Sequence, residues 1–212
     1  MNDKLVLKLG WNAKALVDTA VLILGNNTED REALFDKICE VYEDNDVNII
    51  RLSKGIRLED AVTTVTNLKE TMVRRFKLME QEQVPRTTEL STPLQDKCIA
   101  IENFNMLVNN QDTELIKQLY YELGSIVRLG KSTQIRVIIC CENKDCLNLD
   151  LITSINTKFI VGELGPEDAI YALDLNMNIK LKAERALCVN YNLKKPTVCK
   201  INKITWGRKF NG

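Results

Sequence analysis

An α/β fold, with a mostly parallel sheet flanked by helices, is what this 212-residue sequence predicts, and three observations carry it. Short apolar runs of strand length alternate with helical patterns. One of those runs, Ala20–Leu24, passes through Gly25 directly into a helix start. The last elements read as a β-hairpin added to the end of the series. Single strands alternating with helices are the mark of crossover units, which build parallel sheets with helices on both faces.

The elements follow in order. Strands are expected near 4–9, 20–25, 47–52, 97–101, 135–141 and 158–162, and helices near 28–44, 58–82, 112–129, 147–156 and 166–174. The helix over 58–82 has the strongest pattern: Leu58, Val62, Val65, Leu68, Met72, Phe76 and Met79 recur three or four residues apart. Such a stripe is core rather than a cofactor box. Gln83 to Pro93 is polar with two prolines and reads as a surface loop. In the helix over 112–129, Leu115, Leu119, Leu123 and Ile126 form the stripe and Gly130 suits a C-cap. The hairpin pairs 185–191 with 196–201 through Asn192-Leu193-Lys194-Lys195. No internal repeat interrupts the series, and a single domain over 1–212 is expected.

Composition narrows the function. With 45% hydrophobic residues the chain can bury a substantial core. Lys plus Arg and Asp plus Glu are 29 each, so no global field draws the molecule to nucleic acid or to an anionic membrane. Neither a signal peptide nor a run approaching the ~20 apolar residues of a membrane span is present. The seven cysteines, at 39, 98, 140, 141, 146, 188 and 199, form no C-x-x-C pair. They read as reduced, buried thiols in a cytoplasmic protein. Histidine is absent, which removes the usual general base and the commonest metal ligand. A four-cysteine metal site has poor spacing support, so no metal site is assigned.

Strand, glycine and helix start form the context in which G-x-x-x-x-G-K-[ST] cradles phosphates. Here Gly25-Asn26-Asn27-Thr28-Glu29 is followed by Asp30-Arg31-Glu32 where Gly-Lys-[Ser/Thr] would stand. Glu29, Asp30 and Glu32 supply the anion that a helix N-terminus favours, so they would cap the helix and repel a triphosphate. Arg31 is bulkier than lysine and no equivalent point charge. The plain alternative is an acidic first turn of an ordinary helix.

The run Lys97–Ile101 ends in Glu102-Asn103, where a nucleotide-hydrolysing strand carries an Asp for Mg²⁺ and a Glu to activate water. Asn103 cannot take a proton from water. These two residues equally suit a polar strand end leading into a helix. Gly124 to Ser132 contains Gly-Lys-Ser, but five residues separate its glycines and a helix precedes it, so Lys131 is not assigned to a phosphate loop.

Together these pieces resemble the FtsK/SpoIIIE family of RecA-like motor domains. Met72-Val73-Arg74-Arg75-Phe76-Lys77-Leu78-Met79 is similar to that family's Met-x-Arg-Arg-Tyr-x-Leu-Met stretch, and Ile101 to Leu107 to its Asp-Glu-Phe-Ala-Asp-Leu strand end. Leu129 to Ile135 and Ile138 to Asn143 resemble its Gly-Arg-Ala-x-Gly-Ile and Ala-Thr-Gln-Arg-Pro elements. The departures fall on functional positions: Asp30-Arg31-Glu32, Glu102-Asn103, Lys131 for an arginine and Glu142 for the nucleotide-sensing glutamine. The resemblance therefore implies a RecA-like P-loop NTPase fold whose nucleotide pocket, Gly25, Asn26, Asn27, Thr28, Arg31, Glu32, Glu102, Asn103 and Glu142, has lost its chemistry.

Within the family the chain looks most like the C-terminal ATPase-like domain of the EssC/YukB coupling proteins of type VII secretion. That implies a cytosolic module at the end of a membrane-anchored chain, stacked on adjacent ATPase domains and contacting secreted protein substrates. No catalytic residue, metal or resident cofactor is expected, with weak Mg²⁺-ATP binding left open. The leading expectation is a non-hydrolysing interaction module. The alternative is an atypical ATPase of a DNA translocase, with Arg31 on phosphates and Glu102 on Mg²⁺. A third is nucleic-acid binding through Lys194, Lys195, Lys200, Lys203, Arg208 and Lys209, interleaved with Trp206 and Phe210. Its plain counterpart is a hairpin edge whose lysines discourage edge pairing.

Overall fold

The computed structural model describes residues 5–10, 13–17, 19–109, 112–174 and 176–206. In chain order the strands are β1 Leu5–Lys8, β2 Lys14–Val17, β3 Ala20–Leu24, β4 Asn48–Leu52, β5 Lys97–Ile101, β6 Ile135–Cys141, β7 Thr157–Val161, β8 Glu163–Leu164, β9 Ile179–Lys180, β10 Arg185–Asn190, β11 Thr197–Lys200 and β12 Thr205–Trp206. The helices are α1 Thr28–Glu43, α2 Leu58–Glu82, α3 Phe104–Val108, α4 Thr113–Leu129, α5 Leu149–Ser154 and α6 Pro166–Leu173.

The main sheet has seven strands in the order β11-β10-β7-β3-β6-β5-β4. From β7 to β4 every pairing is parallel, and β10 and β11 add to the β7 edge antiparallel. The expected α/β architecture and terminal hairpin are therefore present.

The central strand β3 is buried along its whole length, and its side chains divide the core in two. Ala20, Leu22 and Leu24 face a cluster shared with α2, α4 and α5, including Val65, Leu68, Met72, Leu119, Leu123 and Ile152. Val21 and Ile23 face a second cluster with Leu34, Phe35 and Ile38 of α1. The alternation is the period of a strand buried on both faces, and it explains why β3 is apolar throughout.

Several expectations are corrected. The strand over 4–9 does not join the main sheet: β1 pairs with β2 and β12 in a separate three-stranded antiparallel sheet. Leu7, Ala15 and Val17 of that sheet, with Leu9 just after β1, cover the α1 side of the core. The helix over 147–156 is shorter, Leu149–Ser154, because Asn148 caps its start by accepting from the Leu151 N–H at 2.8 Å. The loop over 83–93 is anchored rather than wholly at the surface. Its Thr87 is fully buried, with the backbone N–H on Ser132 O at 3.0 Å and Oγ1 on Gln134 Oε1 at 2.8 Å.

Gly130 is the C-cap of α4, but its φ is −65° and not left-handed. A Cβ there would lie 2.3 Å from Ile135 O, so close approach to β6 demands the glycine. Arg75, in the stretch similar to the family's helix, is buried; Nη1 donates to Thr133 O at 2.6 Å and Nη2 to Gln95 O. It ties α2 to the segments entering β5 and β6.

Candidate functional site

Four connections meet at the edge where the parallel strands end: Gly25–Asn27 after β3, Ser53–Gly55 after β4, Glu102–Asn103 after β5 and Glu142–Asn143 after β6. Open α/β sheets bind ligands at this edge, near the strand from which connections depart to either side. That strand is β3, because the chain leaves it through α1 toward β4 and later returns to its other side at β7.

Gly25 makes the turn possible. Its φ is +149°, and a Cβ would sit 1.9 Å from Val161 O at the end of β7. Its N–H donates to Cys141 O at 3.3 Å, and Asn26 Oδ1 accepts from the Glu163 N–H at 3.0 Å. Gly162 faces this turn at φ +70°, with its would-be Cβ 2.5 Å from Asn26 Oδ1. The two turns interlock, which holds the loop against the sheet.

The start of α1 departs from expectation in how it is capped. Asn27, not an acidic residue, is the N-cap: its Oδ1 accepts from the Asp30 N–H at 3.0 Å. Thr28 and Glu29 are exposed in the first turn. Asp30, Arg31 and Glu32 diverge because successive helix residues are about 100° apart, so they cannot all face the helix end. Asp30 Oδ1 accepts from the Glu184 N–H at 2.8 Å. Arg31, only 4% exposed, turns back and donates from Nη1 to Gly25 O at 2.6 Å. Beside it, burial pushes the Cys140 thiol up to about 12, opposed by the Arg31 charge.

Glu32 reaches the opposite way. Lys54 Nζ bonds Glu32 Oε1 and lies 3.7 Å from Glu102 Oε1, while the Lys54 backbone N–H donates to Glu102 Oε2 at 3.1 Å. The hydrogen bond to Glu32 is the main cause holding the Lys54 ammonium above its usual pKa. One lysine thus joins the two carboxylates at the ends of α1's first turn and β5. Nothing local in the sequence marks Lys54, because its partners lie 22 and 48 residues away.

Asn103 is the N-cap of α3, accepting from the Met106 N–H at 3.0 Å. Glu142 has an exposed side chain, and its N–H donates to Asn105 Oδ1 at 2.6 Å. Asn105 also donates to Asn143 Oδ1 at 3.1 Å, so it fastens α3 to the end of β6. Beside Asn103 a hollow of about 210 Å³ is lined by Leu52, Gly55, Arg57, Met106 and Leu107.

The nine expected pocket residues therefore lie along one edge; Arg31 and Asn103 among them, and Lys54 beside them, are each engaged by acceptors or donors of the chain itself. Lys131 is at the opposite edge, since it precedes β6 whereas Gly25 follows the parallel strand β3. Of the basic C-terminal stretch, Lys194, Lys195, Lys200 and Lys203 are exposed around β11. Arg208, Lys209, Phe210 and the side chain of Trp206 lie outside the described residues. Among the described residues no group of three or more side chains is arranged to hold a metal, and no helix is long and apolar enough to cross a membrane.

The sequence matches no family model and no curated protein. The fold has solved relatives. The pCW3 conjugation coupling protein TcpA, in its monomer form with ATPγS, is similar at a TM-score of 0.77 and 11% identity over 94% of this chain and 66% of that one. EssC (ATPases 2 and 3) from Geobacillus thermodenitrificans is similar at 0.66 and 14% identity, over 96% of this chain and 44% of that one. The cytoplasmic domain of the Thermomonospora curvata type VII secretion ATPase EccC is similar at 0.60 and 12% identity, over 85% and 25%. At these identities the likeness is one of fold, and the chain spans only part of the length of each.

Proposed function

We propose that this chain, which carries the RecA-like fold of FtsK/SpoIIIE-type ATPase domains, is a non-hydrolysing interaction module of a type VII secretion coupling protein. It recognises secreted protein substrates or regulates neighbouring motor domains. The observation that supports this reading is that the charged side chains of the edge are engaged by the chain itself. Arg31 is held on Gly25 O and Lys54 on Glu32 and Glu102. Arg31, at the place of a phosphate lysine, is thus held by the chain's own carbonyl, and Glu102, at the place of a metal-holding carboxylate, by the chain's own lysine. Asn103, at the place of a water-activating glutamate, is a helix cap without proton affinity.

The same reading takes residues 1–212 as one domain at the cytosolic end of a membrane-anchored chain, with adjacent ATPase domains as its partners and neither nucleic acid nor the bilayer in contact. The similarity to EssC and EccC ATPase domains supports it. The competing reading, an atypical DNA-moving ATPase, requires Arg31 to leave Gly25 for phosphate and Glu102 to leave Lys54 for Mg²⁺. Phosphate release from millimolar Mg²⁺-ATP tests the choice. No release above buffer is expected; release abolished in Glu102→Gln overturns the proposal.

A further inference from the structure

Alongside α1 a groove of about 640 Å³ runs between the helix, the Glu184 turn before β10 and the Ile201–Asn202 turn after β11. Its size is that of small-ligand sites. Asp30 lines it and is 6% exposed. Oδ1 of Asp30 is satisfied by the Glu184 N–H, but Oδ2 has no hydrogen-bond partner among the described residues. A carboxylate buried with so few donors keeps an under-compensated charge, which a cation in the adjoining groove would offset.

The other charges on the wall answer one another. Arg51 Nη1 is 2.9 Å from Asp36 Oδ1, and Lys37 Nζ is 2.8 Å from Glu40 Oε2. Asp30 and the exposed Glu184 are left without an ion-pair partner among the described residues. Ala33 and Ile201 add apolar wall beside them. An alkyl stem would cover that wall while its charged head reached the carboxylates.

We propose that this groove binds an organic cation, an ammonium or guanidinium on an aliphatic stem, with its head at Asp30 and Glu184. The cation comes from a free amine or from a basic side chain of a protein partner. The site lies off the Gly25 edge and does not rest on the function proposed above.

Calorimetric titration of the intact chain with spermidine, with agmatine, with a short acetylated arginine peptide and with its neutral citrulline counterpart tests it. At least one cationic probe is expected to saturate and the citrulline peptide not to bind. Binding by the peptide alone assigns the source to a protein, and binding by the free amines alone assigns it to a metabolite; either supports the site. Asp30→Asn keeps an oxygen for the Glu184 N–H while removing the charge, and Ala33→Leu fills the groove from an exposed helix position. Each is expected to weaken binding by about tenfold or more. Ala33→Leu leaves the Asp30 contacts intact, so it keeps the test valid if Asp30→Asn fails to fold. No saturation by any cationic probe at millimolar concentration, or unchanged affinity in Ala33→Leu, overturns the proposal.

Discussion

Replacing Gly25 by alanine isolates the close approach that shapes the loop, because the chain contains its own control. Gly10 has nearly the same φ, +152° against +149°, but a Cβ at Gly10 meets nothing within 4 Å, whereas one at Gly25 lies 1.9 Å from Val161 O. Both variants bear the backbone strain of an L-residue in that region, about 1–3 kcal/mol. Gly25→Ala must in addition push the turn off β7 by at least an ångström. That loosens the Gly25–Cys141 and Asn26–Glu163 hydrogen bonds, at about 1 kcal/mol each, and strains the packed strand ends by at least about another. Gly25→Ala is therefore expected to be less stable than Gly10→Ala by about 3 kcal/mol, or about 1.5 M in urea midpoint for a slope of roughly 2 kcal/mol per M. Urea unfolding followed by circular dichroism reads the difference. Midpoints agreeing to within about 0.3 M would refute the reasoning.

Arg31→Ala strands the buried Gly25 carbonyl and is expected to cost about 2–3 kcal/mol in urea unfolding; a neutral result would mean that the guanidinium does not hold the loop. Arg75→Met removes two charge-assisted bonds to Thr133 O and Gln95 O and is expected to cost about 3 kcal/mol, with less than about 1 counting against the tether. Stability should also fall as pH rises above the thiol value of 9.0. Burial holds folded Cys39 and Cys140 at about 12 and Cys199 at about 11, so between those limits the unfolded chain binds fewer protons than the folded one. By pH 10 each of the three contributes a loss of roughly 1 kcal/mol. A urea midpoint unchanged from pH 8 to pH 10 would contradict that burial.

The sequence carried the elements whose side chains repeat over several turns or strands. The stripe from Leu58 to Met79 set α2 at Leu58–Glu82, and the apolar run Ala20–Leu24 set β3. α3 has five residues, too few to show a helical period, and β2 is a four-residue strand whose role depends on pairing with β1 and not on its own pattern. The site divides along the same line. Gly25 and Asn103 were legible because turn and strand-end chemistry is local. Lys54 was not, since it meets Glu32 and Glu102 only once β4 and β5 lie side by side. The direction of Arg31, back onto Gly25 O rather than out of the loop, depends on three dimensions in the same way, as does the meeting of Asp30 with Glu184, 154 residues later.

A thermal-shift titration with Mg²⁺-ATP to millimolar concentration tests most directly whether the chain's own cations have replaced nucleotide at this edge, because a ligand that binds only the folded state must raise its melting temperature. No shift is predicted for the natural sequence; a saturable rise that disappears in Arg31→Ala would contradict the account.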